Sequence, residues 1–282
     1  MSKHQTLIFL SVDDFFLRNE WADDVPVISS EEIRPEEDFR IIDILKDRRV
    51  PATFFVPGIL AELFPSTLKK LVESGFEVAA HGYRHENLAL LKEFERRQRV
   101  QKSLDALEKA MGKKILGWRS PGLHVDDSLY KVLKDSHVRW CSNIELPTHF
   151  KQTPFMYKGK LELPIASIDL KLYQTGFPPS RVCNKWLSGL DRGHDIFTIV
   201  IHPWVQLKSD ERLRSLRIFL EAANSKENVK FCSGSDVYGQ YVSMGQSVYG
   251  AALSTISRIW KSFSRRAQAP LSRTQKVLSE HA

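Results

Sequence analysis

Short apolar runs rich in β-branched residues alternate with longer segments of helical period along most of this 282-residue chain. Residues 6–12, 52–56 and 196–201 are the clearest of these runs. Between them, apolar residues recur at three- and four-residue steps, which is the spacing that buries one face of a helix. This alternation predicts an α/β protein with a mainly parallel sheet. Seven or eight strands in about 245 residues favour a single barrel, and a doubly wound open sheet is the competing architecture.

Polar side chains follow four of the predicted strands, at the point where each strand ends. They are Asp13-Asp14 after the first strand, residues 81–85 after the third, residues 119–122 after the fourth and His202 after the seventh. Taken singly, paired carboxylates are common in turns, and a lone histidine beside a strand is commonly structural. The carboxyl ends of parallel strands meet on one face of a barrel, so these groups should converge. Two imidazoles and a carboxylate are a ligand set suited to Zn²⁺ or a similar divalent ion.

The same residues resemble a known family. Residues 11–14 (SVDD), the HxxxH of His81 and His85, residues 119–121 (RSP) and residues 199–202 (IVIH) resemble four of the five ordered motifs of the polysaccharide deacetylases, the NodB-homology carbohydrate esterases of family four. The resemblance spans about residues 6–240. It implies a single distorted (β/α) barrel of about seven parallel strands over residues 1–249, with the active site at the C-terminal ends of the strands.

The resemblance also implies a chemistry, the metal-dependent removal of acetyl groups from sugars. It assigns a divalent metal ion, Zn²⁺ first and Co²⁺ or Mn²⁺ otherwise, to the ligands Asp14, His81 and His85. It makes Asp13 the general base and His202 the general acid, with Arg119 orienting Asp13. These roles suit the reaction, because an acetamide is a poor electrophile with a poor leaving group and needs help from a metal, a base and an acid.

Five residues beside these motifs are candidates for substrate binding, and packing is the alternative for Tyr83, Leu123 and Trp204. The five residues are Tyr83, Pro121, Gly122, Leu123 and Trp204.

The match to the family is incomplete in two places. Residues 139–143 (RWCSN) have no carboxylate where the fourth motif normally supplies an Asp, and Gly122 stands where many relatives carry an aromatic residue. The sequence therefore leaves open which group holds His202 or Arg119 in place.

We expect a hydrolase that removes an N-acetyl group from an amino sugar of a polysaccharide or lipid-linked glycan. A related carbon-nitrogen hydrolase, such as a sugar deformylase or a cyclic amidase, is one alternative. A catalytically inactive relative that binds a metal or a carbohydrate is the other. Intact Asp13, Asp14, His81, His85 and His202 argue against the inactive alternative.

The formal charge of +7 is concentrated at the C-terminal end of the chain. Residues 250–282 hold six cations and one anion, a net +5, so the first 249 residues carry only +2 and do not predict a nucleic-acid partner. Within this basic tail, the apolar spacing of residues 251–266 predicts an amphipathic helix at an anionic membrane surface. The alternatives are a helix that packs on the barrel and a partly disordered tail.

The sequence favours a cytoplasmic protein, or one at the inner face of a membrane. Its three scattered cysteines do not form a disulfide framework, and we recognise neither a secretory signal nor a transmembrane run. The oligomeric state stays open.

Overall fold

The computed structural model describes residues 4–15 and 35–243. Within them the chain forms ten strands and ten α-helices. The strands are β1 (Thr6–Asp13), β2 (Thr53–Val56), β3 (Glu77–Ala80), β4 (Gly117–Trp118), β5 (Trp140–Cys141), β6 (Phe155–Tyr157), β7 (Lys160–Glu162), β8 (Ile165–Ile168), β9 (Ile196–Ile201) and β10 (Val229–Cys232). The helices are α1 (Pro35–Asp47), α2 (Gly58–Leu63), α3 (Pro65–Glu73), α4 (Glu93–Met111), α5 (Asp127–Lys134), α6 (Asp169–Gln174), α7 (Pro179–Leu190), α8 (Pro203–Gln206), α9 (Asp210–Asn224) and α10 (Gly234–Ser243).

The strands form one curled sheet with β1 near its centre. Their order is β6-β7-β5-β4-β3-β2-β1-β9-β8, and β10 pairs with the first half of β1. Neighbours are parallel except for β6 and β7, so the expected parallel α/β architecture is confirmed. β9 is buried along its whole length, and β1 at all but one position. Such burial on both faces explains why these two strands read as continuous apolar runs.

The two ends of the sheet are joined by consecutive residues. β7 lies beside β5 and β8 lies beside β9, yet only two residues, Leu163 and Pro164, separate β7 from β8. Ile165 also donates its N–H to the Ile144 carbonyl across 2.8 Å, which adds a hydrogen bond where the two ends of the sheet meet. The sheet must therefore curl into a distorted barrel, as expected, and the doubly wound open sheet is excluded. Pro164 has no N–H to donate, so the ladder breaks there.

The structure has more strands than the seven or eight expected. The difference includes the antiparallel hairpin of β6 and β7, whose turn residues Lys158 and Gly159 have φ values of 49° and 83°. Two successive residues with positive φ are typical of the tight hairpin turn that matches the twist of a strand pair.

The register of the sheet aligns the strand ends that carry polar groups. Val12 is paired with Ile201, Val56 with Ala80, and Ala80 with Trp118. Because these residues are the last or nearly the last of their strands, the segments that follow them all begin at the same edge of the barrel. The convergence expected from the sequence follows directly from this register.

The chain divides into two units, Met1–Ser243 and Met244–Ala282, and the fold above belongs to the first. The expected domain boundary at residue 249, the basic tail and the membrane contact of residues 251–266 lie outside the described residues, so they stay predictions. Among the helices of residues 4–15 and 35–243, none is long and apolar enough to cross a membrane.

Candidate metal centre and catalytic site

Three of the predicted ligands meet at the edge of the barrel. Asp14 follows β1, and His81 and His85 lie in the segment after β3, residues 81–86, which we call the ligand loop. The Oδ1 atom of Asp14 is 3.3 Å from Nε2 of His81 and 3.0 Å from Nε2 of His85. All three side chains are buried. The structure therefore brings together the carboxylate and the two imidazoles that the sequence singled out.

The chemistry of these donors fits a divalent metal ion. One ligand atom from each residue lies within 4.8 Å of the others, and the buried Oδ1 of Asp14 has no hydrogen-bond partner of good geometry. His81 Nδ1 lies 3.0 Å from the carbonyl oxygen of Arg119, so a proton on Nδ1 leaves the Nε2 lone pair for a cation. Burial raises the pKa of Asp14, but the imidazoles of His85 and His81 outweigh it and hold that pKa well below its usual range. One carboxylate and two imidazoles are a ligand set that Zn²⁺ accepts.

The ligand loop is not helical, so its conformation depends on contacts with the helices behind it. The Gly82 carbonyl accepts hydrogen bonds from Gly58 N at 2.9 Å and from Ser103 Oγ at 2.6 Å. The Tyr83 carbonyl accepts one from Ile59 N at 2.8 Å. Gly82 itself has a φ of 69°, a conformation that favours glycine. These bonds anchor the loop to α2 and α4.

The predicted base and its orienting residue form a buried ion pair. Arg119 is fully buried, and its Nη1 donates to Asp13 Oδ1 at 2.5 Å and to Ser11 Oγ at 2.7 Å. Its Nε and Nη2 donate to the carbonyl and the hydroxyl of Ser142 at 2.8 and 2.6 Å. Burial lowers the pKa of Arg119, and the adjacent Asp13 opposes that shift. Arg119 therefore fixes one carboxylate oxygen of Asp13 by a charge-assisted bond.

The predicted acid, His202, is held by a carboxylate that the sequence reading missed. Asp169 Oδ1 lies 2.7 Å from His202 Nδ1, and Asp169 Oδ2 accepts from the main-chain N–H of His202 at 3.0 Å. His202 Nε2 is left facing the metal cluster, 3.8 Å from Asp14 Oδ2. Burial lowers the pKa of His202, but the charge and hydrogen bond of Asp169, together with the charges of Asp14 and Asp13, outweigh burial and raise the pKa to about 9. The imidazole is therefore protonated at neutral pH.

Asp169 answers one of the questions that the incomplete fourth motif raised. The resemblance places the carboxylate within residues 139–143, at the end of β5, whereas Asp169 follows Ile165–Ile168 at the end of β8. The sequence did contain a signal for it. Asp169 comes directly after a short apolar strand, as Asp14 does after β1, and this position at a strand end is the signal.

A second buried carboxylate does reach the end of β5, from the neighbouring strand. Glu162 of β7 is the register partner of Cys141, and its Oε2 accepts from Asn143 N at 3.1 Å. Glu162 Oε1 accepts from Asn143 Nδ2 at 3.2 Å and from the Tyr130 hydroxyl. Asn143 Oδ1 in turn accepts from Ser120 N at 2.8 Å, which supports the segment that carries Arg119. Burial raises the pKa of Glu162 to about 7.

The predicted substrate-binding residues divide into two groups. Trp204 is partly exposed with its ring 5.5 Å from that of His202, and partly buried Leu123 packs against apolar side chains of β8 and β9. Gly122 is exposed, and Pro121 is buried against Gly82 of the ligand loop. These four lie beside the site.

Tyr83 differs from the expectation. It is only 3% exposed, its hydroxyl donates to Glu62 at 2.8 Å, and Lys102 Nζ lies 4.0 Å from its ring centroid. Its ring is thus enclosed between α2 and α4. In this structure it packs the ligand loop and does not present a face to a sugar.

Comparisons with known proteins agree with this fold. Residues 8–140 match the family model described as "Polysaccharide deacetylase". The peptidoglycan deacetylase of Helicobacter pylori is 23% identical over 247 residues, covering 72% of this chain and 83% of that protein. A putative polysaccharide deacetylase from Mycobacterium smegmatis has the same fold, with a TM-score of 0.71, 20% identity and coverage of 86% and 93% of the two chains. The Puue allantoinase shares it with a TM-score of 0.70, 17% identity and coverage of 86% and 92%. Residues 8–140 therefore carry the match to the polysaccharide deacetylase family.

Proposed function

We propose that this protein is a metal-dependent hydrolase that removes the N-acetyl group from an amino sugar of a glycan, releasing acetate and a free amine. One observation supports this most strongly. The Asp14, His81 and His85 cluster adjoins both a carboxylate held by arginine and an imidazole held by carboxylate. These are the groups that hydrolysis of an unreactive amide requires.

Asp14, His81 and His85 would hold the metal ion, with Zn²⁺ the first choice and Co²⁺ or Mn²⁺ the alternatives. A bound ion supplies a Lewis acid that polarises the acetamide carbonyl and lowers the pKa of the attacking water. Asp13 is the last residue of β1, directly before Asp14, but belongs to the Arg119 ion pair, and its second oxygen would accept the proton of that water. Arg119 keeps Asp13 oriented, because the guanidinium is itself fixed by two further residues.

His202 supplies the proton that the leaving amine needs. With a pKa of about 9 it is protonated at neutral pH, and its Nε2 faces the cluster. Asp169 holds the other ring nitrogen and so sets the direction in which Nε2 donates. Protonation lets the nitrogen leave as a neutral amine, which avoids the expulsion of an amide anion.

The substrate class follows from the family and from its relatives. The related Helicobacter pylori protein is named a peptidoglycan deacetylase, and we propose an N-acetylated polysaccharide or lipid-linked sugar as the substrate here. Trp204 and Leu123 offer apolar surface for the faces of a pyranose ring. Contact of residues 251–266 with a membrane and a cytoplasmic location remain part of this proposal. The three cysteines, all free and buried, support a reducing compartment.

Mass spectrometry of N-acetylated glycans before and after incubation with Zn²⁺-loaded protein tests the proposal. Loss of about 42 Da per site identifies acetyl removal, whereas about 28 Da identifies a deformylase. The Asp13→Asn variant should keep the metal and lose product release, and His81→Ala should lose both. If a panel of acetylated and formylated amino sugars is unchanged with Zn²⁺, Co²⁺ and Mn²⁺, the protein is a binding relative and the proposal is wrong.

A further inference from the structure

We propose that Glu86 is a positioning residue for the metal centre, whose buried carboxylate holds the ligand loop in the conformation that presents both imidazoles. This role rests on the proposed metal site. Glu86 follows His85 directly and is 8% exposed. Its Oε2 accepts the main-chain N–H groups of Tyr83 at 3.1 Å and Arg84 at 2.7 Å. Both donors lie between the two histidines, so the carboxylate closes the loop on itself.

The conformation of the ligand loop explains why the two hydrogen bonds to Glu86, which we call the clamp, are needed. The histidines are four residues apart, but they do not lie on a helix whose geometry would fix their separation. The loop instead takes left-handed backbone at Gly82, with φ of 69°, and at His85, with φ of 59°. A side chain makes this conformation unfavourable at His85. Two N–H bonds to the buried side chain of Glu86 stabilise the loop against relaxation to ordinary backbone.

The clamp completes a set of contacts made by other elements. The helices hold the carbonyls of Gly82 and Tyr83, and Glu86 accepts from the N–H groups on the opposite side of the same two peptides. The second oxygen of Glu86 is buried, and Arg99 Nε lies 3.9 Å from it. Both loop N–H groups therefore bind the same oxygen, Oε2. A glutamine keeps that oxygen, and an alanine removes it.

The test measures metal affinity, which does not depend on turnover. Metal-free protein is titrated with Zn²⁺ in competition with a chromophoric chelator, well below its unfolding temperature. Glu86→Ala should bind Zn²⁺ about 10- to 100-fold more weakly, which is the usual effect of removing a group that orients metal ligands. Glu86→Gln should stay within about threefold of wild type, because its carbonyl oxygen still accepts both N–H groups. The control is Glu73→Ala, an exposed carboxylate on α3, and it should not change affinity.

Equal Zn²⁺ affinity of Glu86→Ala and wild type would overturn the proposal, and so would a Glu86→Gln variant as weak as Glu86→Ala. If Glu86→Ala does not fold, Glu86→Asp serves instead, because its carboxylate is one methylene too short for both N–H groups and should weaken binding. Wild-type affinity no higher than that of His81→Ala would remove the metal site and this role with it. Normal Zn²⁺ binding without acetate release would contradict the proposed function alone.

Discussion

Asp169 binds two nitrogens of His202: its Oδ2 accepts from the main-chain N–H, and its Oδ1 lies 2.7 Å from the ring Nδ1. The same Oδ2 also accepts from the Gln206 amide at 2.6 Å, so the carboxylate is itself held from two sides. Asp169 is completely buried, and its charge is the main reason that the pKa of His202 rises despite burial. This one side chain therefore sets the direction and the protonation of the proposed acid.

Replacing Asp169 with Asn should move the pH range of activity. An acid catalyst works while it is protonated, so activity falls as pH rises through the pKa of His202. Loss of the negative partner lowers that pKa by about 1–3 units, and the high-pH limb of kcat should shift to lower pH by that amount. The measurement is kcat against pH for Asp169→Asn, with Asp195→Asn as the control, because Asp195 precedes β9 and His202 follows its opposite end. A high-pH limb that stays in place would contradict the role of His202 as acid.

Replacing Arg119 with Lys should damage catalysis more than metal binding. A lysine cannot reproduce the planar set of bonds to Asp13, Ser11 and Ser142. Buried groups that lose their partners cost about 1–3 kcal/mol, and the free energy of unfolding should fall by about that amount. Zn²⁺ affinity should change little, because His81 is bound through the main-chain carbonyl of residue 119. Urea unfolding, chelator competition and kcat separate the three effects, and an unchanged kcat would exclude an orienting role.

Replacing Gly82 with Ala should weaken both the fold and the metal site. An added Cβ would lie 2.9 Å from Pro121 Cγ and 3.1 Å from Glu86 Oε2, at a φ of 69°. Gly176 is a matched control, because its φ is 79° but no atom lies within 4 Å of an added Cβ. Gly176→Ala should lose about 1 kcal/mol of unfolding free energy from the backbone alone. Gly82→Ala should lose about 1–3 kcal/mol and bind Zn²⁺ more weakly. Equal losses for the two variants, with Zn²⁺ affinity unchanged, would show that the steric contacts at Gly82 are unimportant.

The parts of the site that could be predicted are those tied to strand ends. Asp13 ends a short apolar strand, and His81, Arg119 and His202 each directly follow one. Parallel register brings such positions to one edge. The partners of these residues were harder to find, because a contact such as that between Asp169 and His202 joins side chains 33 residues apart with no spacing rule. The break of the sheet at Pro164 depends on how the barrel closes, so no local pattern divided residues 160–168 into two strands with different neighbours.

The role of Tyr83 is another feature that the sequence alone did not predict. An aromatic side chain inside a motif suits either a sugar contact or packing. The outcome depended on α2 and α4, which approach the ligand loop from elsewhere in the sequence. Helix positions relative to the loop are a property of the assembled barrel, so the sequence left both interpretations open.

Glu162 should make the protein less stable as pH rises from about 5 to about 8. Burial raises its pKa to about 7 in the folded state, whereas the pKa of a glutamate in an unfolded chain is about 4.3. Between those values the folded state binds the proton that the unfolded state has released, so the free energy of unfolding falls with increasing pH. Glu162→Gln removes this dependence, and its stability relative to wild type should improve by about 2–3 kcal/mol over that range. Glu162→Gln also loses a hydrogen-bond acceptor, which costs the same stability at both pH values. This cost cancels when the free energies of unfolding at the two pH values are subtracted. Urea unfolding at both ends of the range measures the difference, with exposed Glu73→Gln as control, and a stability difference independent of pH would show that Glu162 ionises normally.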